Sequence, residues 1–458
     1  MKEKKINASK ERAPLFGLFL LGFGSIIGVG WSSTLNNLIR CGGGAVPAAA
    51  GFALATVAFI PIALCFARLA EKFPVSGGVT VYAKRAFGDR LAFVGGWFMV
   101  MSYTAILPFE AIAINDILSY IFPPLRSGRV LYYIMGEAIY LRTALVGLAV
   151  GLAVALVHFS GARSGMALQR LSTLVLLGGS SICILFCLFK ADWLGLVSPV
   201  YAPVEGKAHT GLLSGIVSMM AIAPQYFAGF DTISQSAELG KGRSIGKTIV
   251  GALISAGIFY VLVFLSAGLA YPWQSILQMG RPVLANVLLA LYQGALGRAL
   301  WYICILATLG GLLGAWNGFF IASTRMICGM AREEFLPSVF KKRNAKRDVP
   351  VAACALCTVI MLAGAFLGAG VLDIICTLAS TGFVISWAIS CLSLFKLQIE
   401  RREKIISMVA IVLCLAMIVN CVAPGMPGYM GDAGIAALVI WSVLGVMFYG
   451  ITRRKHNR

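Results

Sequence analysis

Two long apolar segments of this chain are interrupted by glycine, and this pattern constrains the fold more than any other feature of the sequence. The second segment, residues 212–239, contains Gly229. The first, residues 15–39, contains four closely spaced glycines, Gly22, Gly24, Gly28 and Gly30. A helix in lipid satisfies its own backbone hydrogen bonds, so a break within it needs a reason. A break that recurs in two halves of a chain is typical of a binding site near the middle of the membrane.

The composition places the chain in a membrane. Of its 458 residues, 59% are hydrophobic and only 12% are charged, which is more apolar residue than one soluble core encloses. We count twelve runs of about 20 residues, the length that spans a bilayer, at residues 15–40, 44–70, 91–122, 141–160, 166–189, 211–239, 247–271, 283–331, 350–368, 370–396, 405–423 and 433–451. The eighth of these runs, residues 283–331, is long enough to contain a surface or re-entrant piece before Leu296.

The net charge of +20 is explained by topology. If both termini are cytoplasmic, most of the 38 lysines and arginines fall on the inner side, as the positive-inside rule requires. The basic residues 1–14 precede an apolar run that is too long for a signal-peptide core, so we expect this first span to be retained. We therefore predict a multi-pass protein of the cell membrane. No basic stretch interleaved with aromatic residues indicates binding to nucleic acid.

Residue patterns typical of enzymes are scarce. The 3 histidines, His158, His209 and His456, lack the spacing of metal ligands. Cys354 and Cys357 have a redox-like spacing, but no second pair accompanies them, so we interpret them as packing residues. We therefore expect no enzymatic activity, no cofactor and no bound metal.

The first break predicts recognition of both ends of an amino acid. Each glycine lowers helix propensity by about 1 kcal/mol relative to alanine, so we expect an unwound segment near Gly28–Gly30. The half-helix that follows, through Ser32 and Ser33, would direct free N–H groups at a carboxylate. The half-helix before it would direct free carbonyls at an ammonium. The alternative is a close helix interface built from small residues.

The second break repeats this arrangement. Within about two turns of an apolar helix, the sequence contains Pro224, Gly229 and Asp231. Proline and glycine disrupt a helix, and an acidic residue is energetically costly in a membrane span. We expect unwinding near Ala228 and Gly229. Asp231 either accepts hydrogen bonds from the unwound backbone, which we favour, or meets a charge on the substrate.

Glu110 is the most conspicuous acid near the middle of a span. An isolated charge there is costly, so we expect this side chain to face the protein interior and to be protonated or paired. It is either a proton-coupling or cation-binding group or a neutral packing acid, and the sequence favours neither. Asn115, Asp116 and Asp373 lie nearer the outer ends of their spans, and we interpret them as vestibule or interface residues.

Several motifs follow one another along the chain: Gly28-Val29-Gly30, residues 73–82, residues 227–231 with Ala237-Glu238, and Asn317 with residues 323–326, 330–333 and 336–337. Through these motifs the chain resembles the amino acid-polyamine-organocation (APC) superfamily of permeases over nearly its whole length. The resemblance implies an all-α, LeuT-like fold of twelve transmembrane helices, in which spans 1–5 and spans 6–10 form an inverted repeat, helices 1 and 6 are broken, and two further helices follow. Its parts would be a cytoplasmic N-terminus (1–14), the first repeat in spans 1–5 (15–189), an outer loop (190–210), the second repeat in spans 6–10 (211–396), and spans 11–12 with a short cytoplasmic tail (397–458).

The resemblance also implies a substrate site between the first and sixth spans. The carboxylate would lie on the N–H groups of Gly28, Val29 and Gly30. The ammonium would meet carbonyls of three residues, Ile26, Gln225 and Ala228. Three further residues would adjoin the site, namely Trp31, Gly229 and Phe230. At four positions in or near this site, the chain has residues that differ from those usual in the family: Val29, Trp31, Gln225 and Leu176. These differences indicate an uncommon substrate.

These observations predict a secondary transporter that moves an amino acid or a related small amine by alternating access. Proton symport or substrate exchange is the first expectation for coupling. Sodium symport is the alternative, and a nutrient sensor built on a transporter scaffold is a further one. The expected partners are the small-molecule substrate, a coupling ion and the lipid bilayer.

Overall fold

The described residues of a computed structural model, 15–193, 199–204, 211–239, 244–344 and 347–456, form an almost entirely helical protein. The predicted N-terminal segment and part of the predicted outer loop lie outside these residues. The helices are α1 (Leu15–Ile26), α2 (Gly30–Ser33), α3 (Leu35–Gly42), α4 (Ala45–Lys72), α5 (Gly78–Phe87), α6 (Asp89–Ile121), α7 (Leu141–Ser160), α8 (Ala162–Phe189), α9 (Leu212–Phe227), α10 (Thr232–Gln235), α11 (Ser244–Ala270), α12 (Trp273–Leu277), α13 (Val283–Leu291), α14 (Gly294–Arg332), α15 (Val351–Gly364), α16 (Leu372–Leu397), α17 (Arg401–Val422) and α18 (Gly431–His456). Between α6 and α7 lies an antiparallel hairpin of two strands, β1 (Val130–Ile134) and β2 (Glu137–Tyr140).

Ten helical segments in the described part of the chain are long and apolar enough to cross a membrane. These are α4, α6, α7, α8, α9 with α10, α11, α14, α16, α17 and α18. The shorter apolar helices α1 and α15 occupy the first and ninth predicted spans. The eighth predicted run divides into α13 and α14, as expected for a separate piece before the span. The multi-pass prediction is confirmed, whereas the total of twelve spans and the inverted repeat stay predictions.

The first span is broken where the glycines predict. Helix α1 ends at Ile26, and α2 begins at Gly30. The helical segment after this break is divided at Thr34 into α2 and α3. The Thr34 hydroxyl donates to the carbonyl oxygen of Gly30 at 3.0 Å. Hydroxyl side chains that bond nearby backbone in this way compete with regular helix.

The second break also lies where the sequence predicts. Helix α9 ends at Phe227 and α10 begins at Thr232. Between them Gly229 adopts a φ of +124°, a backbone conformation that residues with a Cβ rarely adopt. The Ala228 N–H is still bonded to the Pro224 carbonyl at 3.2 Å, so the helix unwinds just after Ala228.

Helix packing brings the two breaks together. Helix α1 packs against α8, α11 and α14, and α10 packs against α1 and α14. Helix α6 packs against α14 and α16 and forms another wall around the breaks. Gly318 on α14 permits this approach, because a Cβ there would overlap the Ser25 hydroxyl of α1.

Candidate binding site at the two helix breaks

A cavity of about 220 Å³ lies at the two helix breaks. Its walls come from the first break, from α6, α9, α11, α14 and α16, and from the end of the second break. The structure thus brings together residues from distant parts of the sequence. The predicted site residues that line this cavity are Ile26, Gly28, Val29, Gly30, Glu110, Gln225 and Ala228.

Several backbone groups of the residues that line this cavity have no backbone hydrogen-bond partner among the described residues. In the described part of the chain, the N–H groups of Gly28 and Val29 donate to no backbone carbonyl. The carbonyls of Ile26, Gln225 and Ala228 likewise accept no backbone N–H there. Backbone polar groups away from bulk water need partners. The cavity therefore offers donors for a carboxylate and acceptors for an ammonium within one space.

Three glycines of the first span, Gly22, Gly24 and Gly28, differ in the space around them. A Cβ on Gly22 would overlap Ile233, and one on Gly24 would overlap the Thr173 hydroxyl, so these two glycines allow close helix packing. A Cβ on Gly28 would lie 3.9 Å from both Ala315 Cβ and Glu110 Oε1, which is ordinary contact. Close helix packing thus accounts for Gly22 and Gly24, whereas the binding role of Gly28 stays a prediction.

Gly229 joins the two breaks. A Cβ at this position would lie 2.8 Å from the carbonyl carbon of Ser25 and 2.9 Å from the nitrogen of Ile26. Thr232 adds a side-chain contact, with its Oγ1 3.3 Å from Ser25 Oγ and donating to the Gly229 carbonyl at 2.6 Å. Gly229 therefore allows the second break to lie directly against the C-terminal end of α1, where the first break begins.

Asp231 stabilises the second break. One carboxylate oxygen accepts the Gly229 N–H at 3.2 Å, and the other accepts the Tyr103 hydroxyl at 2.5 Å. The side chain is fully buried, and Tyr103 belongs to α6. These contacts agree with the favoured role for Asp231, in which it holds the unwound backbone.

Glu110 faces the first break. It lies on α6, is 2% exposed and lines the cavity. Its Oε2 has no hydrogen-bond partner in the described part of the chain. A buried, unpartnered carboxyl group next to Gly28 is well placed to exchange a proton or to meet a cation.

Trp31 and Phe230 pack behind the breaks. Trp31 is fully buried and meets the edge of Phe259 with ring centroids 5.4 Å apart. Phe230 packs against Phe66 and Trp387 at centroid distances of 5.7 and 5.1 Å. Both side chains support the unwound segments from within the helix packing.

Sequence reasoning missed the aromatic lining of the cavity. An aromatic residue in an apolar helix has the same sequence pattern whether it faces lipid, another helix or a cavity. The position of Tyr226 beside the second break was the one available signal. The aromatic residues of the lining are Phe109, Tyr120, Tyr226, Tyr260, Phe319 and Phe383.

Charged residues mark the end of the cavity nearest the β-hairpin, which we call the hairpin side. Asp116 and Asp373, predicted as vestibule or interface residues, both line the cavity there. Arg281, which the sequence did not single out, lines it as well. Asp373 and Arg281 are exposed, so the cavity has a polar rim on this side.

The opposite side of the cavity is closed by a polar network. Glu238 pairs with Arg325 and Arg343, with N–O distances of 3.8 and 3.5 Å. The Arg325 guanidinium also donates to the Gln235 carbonyl at 3.3 Å, and the Gln235 side chain accepts the Gly77 N–H at 3.2 Å. These contacts join the segment after the second break to α14 and to the start of α5.

A second ion-pair group links helix ends on this closed side. Lys84 lies 2.9 Å from a Glu333 carboxylate oxygen and 3.6 Å from one of Asp89. Partial burial by itself would lower the pKa of Lys84. The hydrogen bonds and charges of Glu333 and Asp89 outweigh burial and raise this pKa above its ordinary value. Lys84 therefore stays charged and connects the end of α14 to the start of α6.

The chain matches membrane transporters along almost its whole length. A family model described as "Amino acid permease" matches residues 14–450. The branched-chain amino acid permease BcaP of Bacillus subtilis is 24% identical, over 98% of this chain and 94% of its own length. The methylthioribose transporter of the same organism is 25% identical, over 96% and 93%. The arginine/ornithine antiporter of Pseudomonas aeruginosa is 25% identical, over 79% and 73%.

Proposed function

Because the chain belongs to the amino acid permease family of the APC superfamily, we propose that it carries an amino acid or a related small amine across the cell membrane by alternating access. The observation that supports this most directly is the cavity at the helix breaks, where unpaired backbone donors and acceptors meet. In this proposal the chain has twelve spans, counting α1 and α15, and both termini are cytoplasmic. The family is one of transporters, and no catalytic role enters the proposal.

Backbone atoms recognise the head of the substrate in this proposal. The carboxylate binds the N–H groups of Gly28, Val29 and Gly30, and the ammonium binds carbonyls of Ile26, Gln225 and Ala228. Unpaired groups at both breaks support this assignment. The substrate side chain then meets the aromatic lining, which favours apolar or aromatic contact.

Alternating access requires the site to open to one side at a time. With the hairpin side outside, the polar rim is the entrance, and the network around Glu238 is the inner closure. The break between α9 and α10 is in direct contact with the end of α1 at Gly229, so we propose that these helices move as one body. They would rock against α6 and α14, which carry Glu110 and most of the opposite wall.

The proposed energy source is a proton gradient or exchange for a second substrate. Glu110 supports proton coupling, since it is buried, unpartnered and next to Gly28. Exchange draws support from a relative named as an arginine/ornithine antiporter. Sodium symport is the alternative. Uptake measured with an imposed sodium gradient distinguishes it from proton coupling and from exchange.

Transport assays test the proposal directly. The purified chain in liposomes is offered a panel of labelled amino acids and amines, with an imposed proton gradient, an imposed sodium gradient, internal substrate, or none of these. We expect uptake or counterflow of at least one compound, accelerated by the proton gradient or by internal substrate. If no compound enters or exchanges under any condition, the carrier function is wrong.

Substitution of Glu110 tests its role in coupling. If Glu110 carries the coupled proton, Glu110→Gln cannot release or bind that proton, and the pH dependence of the uptake rate is expected to flatten. Uptake is measured at several external pH values with the same probe. Glu400→Gln serves as the control, because Glu400 is exposed at the start of α17. An unchanged pH profile in Glu110→Gln would assign Glu110 to packing.

A further inference from the structure

A second cavity, of about 500 Å³, adjoins the first on the hairpin side. Its walls are strand β2 of the hairpin, the C-terminal part of α6 and residues 365–369 after α15. It shares three lining residues with the cavity at the breaks, namely Asp116, Tyr120 and Arg281. The two cavities therefore meet at these three residues.

The hairpin forms a fixed wall for this second cavity. The Tyr132 hydroxyl on β1 donates to the Phe366 carbonyl at 2.7 Å, which ties the hairpin to the chain that follows α15. The Leu141 N–H donates to the Arg129 carbonyl at 2.9 Å and closes the base of the hairpin. The chain on either side of the cavity is thus joined by hydrogen bonds that do not depend on a ligand.

The charges in this cavity are unevenly paired. Asp116 forms an ion pair with Arg126 at 2.5 Å. Arg281 and Glu137 both line the cavity and are exposed. Neither forms an ion pair with another described residue of the chain. The Arg281 guanidinium has a hydrogen-bonding partner in the Tyr120 hydroxyl, so the cavity contains a guanidinium and a carboxylate that lack an oppositely charged partner.

We propose that the second cavity captures the zwitterionic head of an α-amino acid before it enters the site at the breaks. Arg281 binds the carboxylate and Glu137 binds the ammonium. A guanidinium can bind a carboxylate through two parallel hydrogen bonds, and the cavity volume lies within the range of small-molecule sites, about 300–1,000 Å³. Arg281 lines both cavities, so it can release the carboxylate toward Gly28. This assignment rests on the proposed transport of amino acids.

Capture predicts a specific kinetic change. Removing either free charge lowers the rate of productive encounter but leaves the later conformational step intact. In liposomes, Arg281→Gln and Glu137→Gln are each expected to raise the KM for uptake about three- to fivefold, as suits exposed charges, with an unchanged maximal rate. The probe is whichever of labelled leucine, serine, glutamate and arginine the wild-type chain takes up fastest. Arg298→Gln is the matched control, since Arg298 is an exposed arginine of α14 outside both linings.

Direct binding in a second background completes the test. Gly28→Leu fills the site at the breaks. We expect the binding of the labelled probe that this variant retains to depend on Arg281. This residual binding should therefore disappear in the Gly28→Leu, Arg281→Gln double variant. Unchanged KM values in both charge variants, or a Gly28→Leu variant without residual binding, would overturn the capture site while leaving transport established. Uptake restricted to compounds without an α-amino acid head would also overturn the capture site, whereas a wild-type chain that takes up no compound of the wider panel would instead contradict the carrier function on which this proposal rests.

Discussion

Gly229→Ala is expected to reduce uptake at least about 100-fold, equivalent to about 2.7 kcal/mol, although it adds a single methyl group. The backbone at Gly229 has a φ of +124°, which costs a residue with a Cβ about 1–3 kcal/mol. The new Cβ would also lie within 2.9 Å of backbone atoms of Ser25 and Ile26. Backbone cannot rotate away as a flexible side chain can, so the two breaks must separate. The readout is initial uptake into liposomes, normalised to the amount of inserted protein.

Gly178→Ala is the matched control for this substitution. Gly178 lies on α8, and a Cβ there would meet nothing within 4 Å. The two variants thus make the same chemical change in membrane helices, one at a crowded backbone contact and one in open space. We expect Gly178→Ala to transport as the wild type does. Wild-type uptake by Gly229→Ala would show that transport does not need the contact between the breaks.

Gly28 is expected to respond to side-chain size, with Gly28→Leu inactive and Gly28→Ala active. A Cβ at this position has its nearest neighbours at 3.9 Å, so alanine fits without moving them. Leucine extends further into a cavity of only about 220 Å³ and occupies the place proposed for the carboxylate. We expect at least about a 100-fold loss of affinity for Gly28→Leu, or about 2.7 kcal/mol, and less than about a tenfold loss for Gly28→Ala.

Equilibrium binding of the best transported probe, together with uptake, measures both variants. Comparable membrane insertion of the two proteins is the internal control, because both changes add apolar atoms to an apolar segment. Equal loss in Gly28→Ala and Gly28→Leu would point to a requirement for glycine itself, through backbone flexibility. Normal uptake by Gly28→Leu would place the substrate elsewhere.

The positions of the breaks could be predicted from sequence because their causes are local. Closely spaced glycines, and a proline near Gly229, weaken helix wherever they occur in a span. The division of the first half-helix at Thr34 was missed. It depends on which of several hydroxyl side chains bonds back to the backbone, and composition does not specify that choice.

The hairpin side of the site was harder to predict because its charged residues come together only through tertiary packing. Arg281 and Glu137 are distant in sequence and lie in short connecting segments, yet packing places them on one cavity. Nothing in the local pattern around Glu137 predicts that its strand forms a wall beside α6. Two residues show the opposite case, Trp31 and Phe230. Both lie at or next to a helix break in the sequence, but their side chains do not line the cavity.

The backbone contact at Gly229 has a consequence for how this scaffold can diversify. A junction made of main-chain atoms is insensitive to which side chains surround the substrate, and it excludes every residue except glycine at one position. If the helices move as proposed, mutations in the aromatic lining can alter the substrate while the contact at Gly229 is kept. Relatives of this chain are named for branched-chain amino acids, methylthioribose and arginine with ornithine, so the substrate differs among proteins that are similar to it over most of its length.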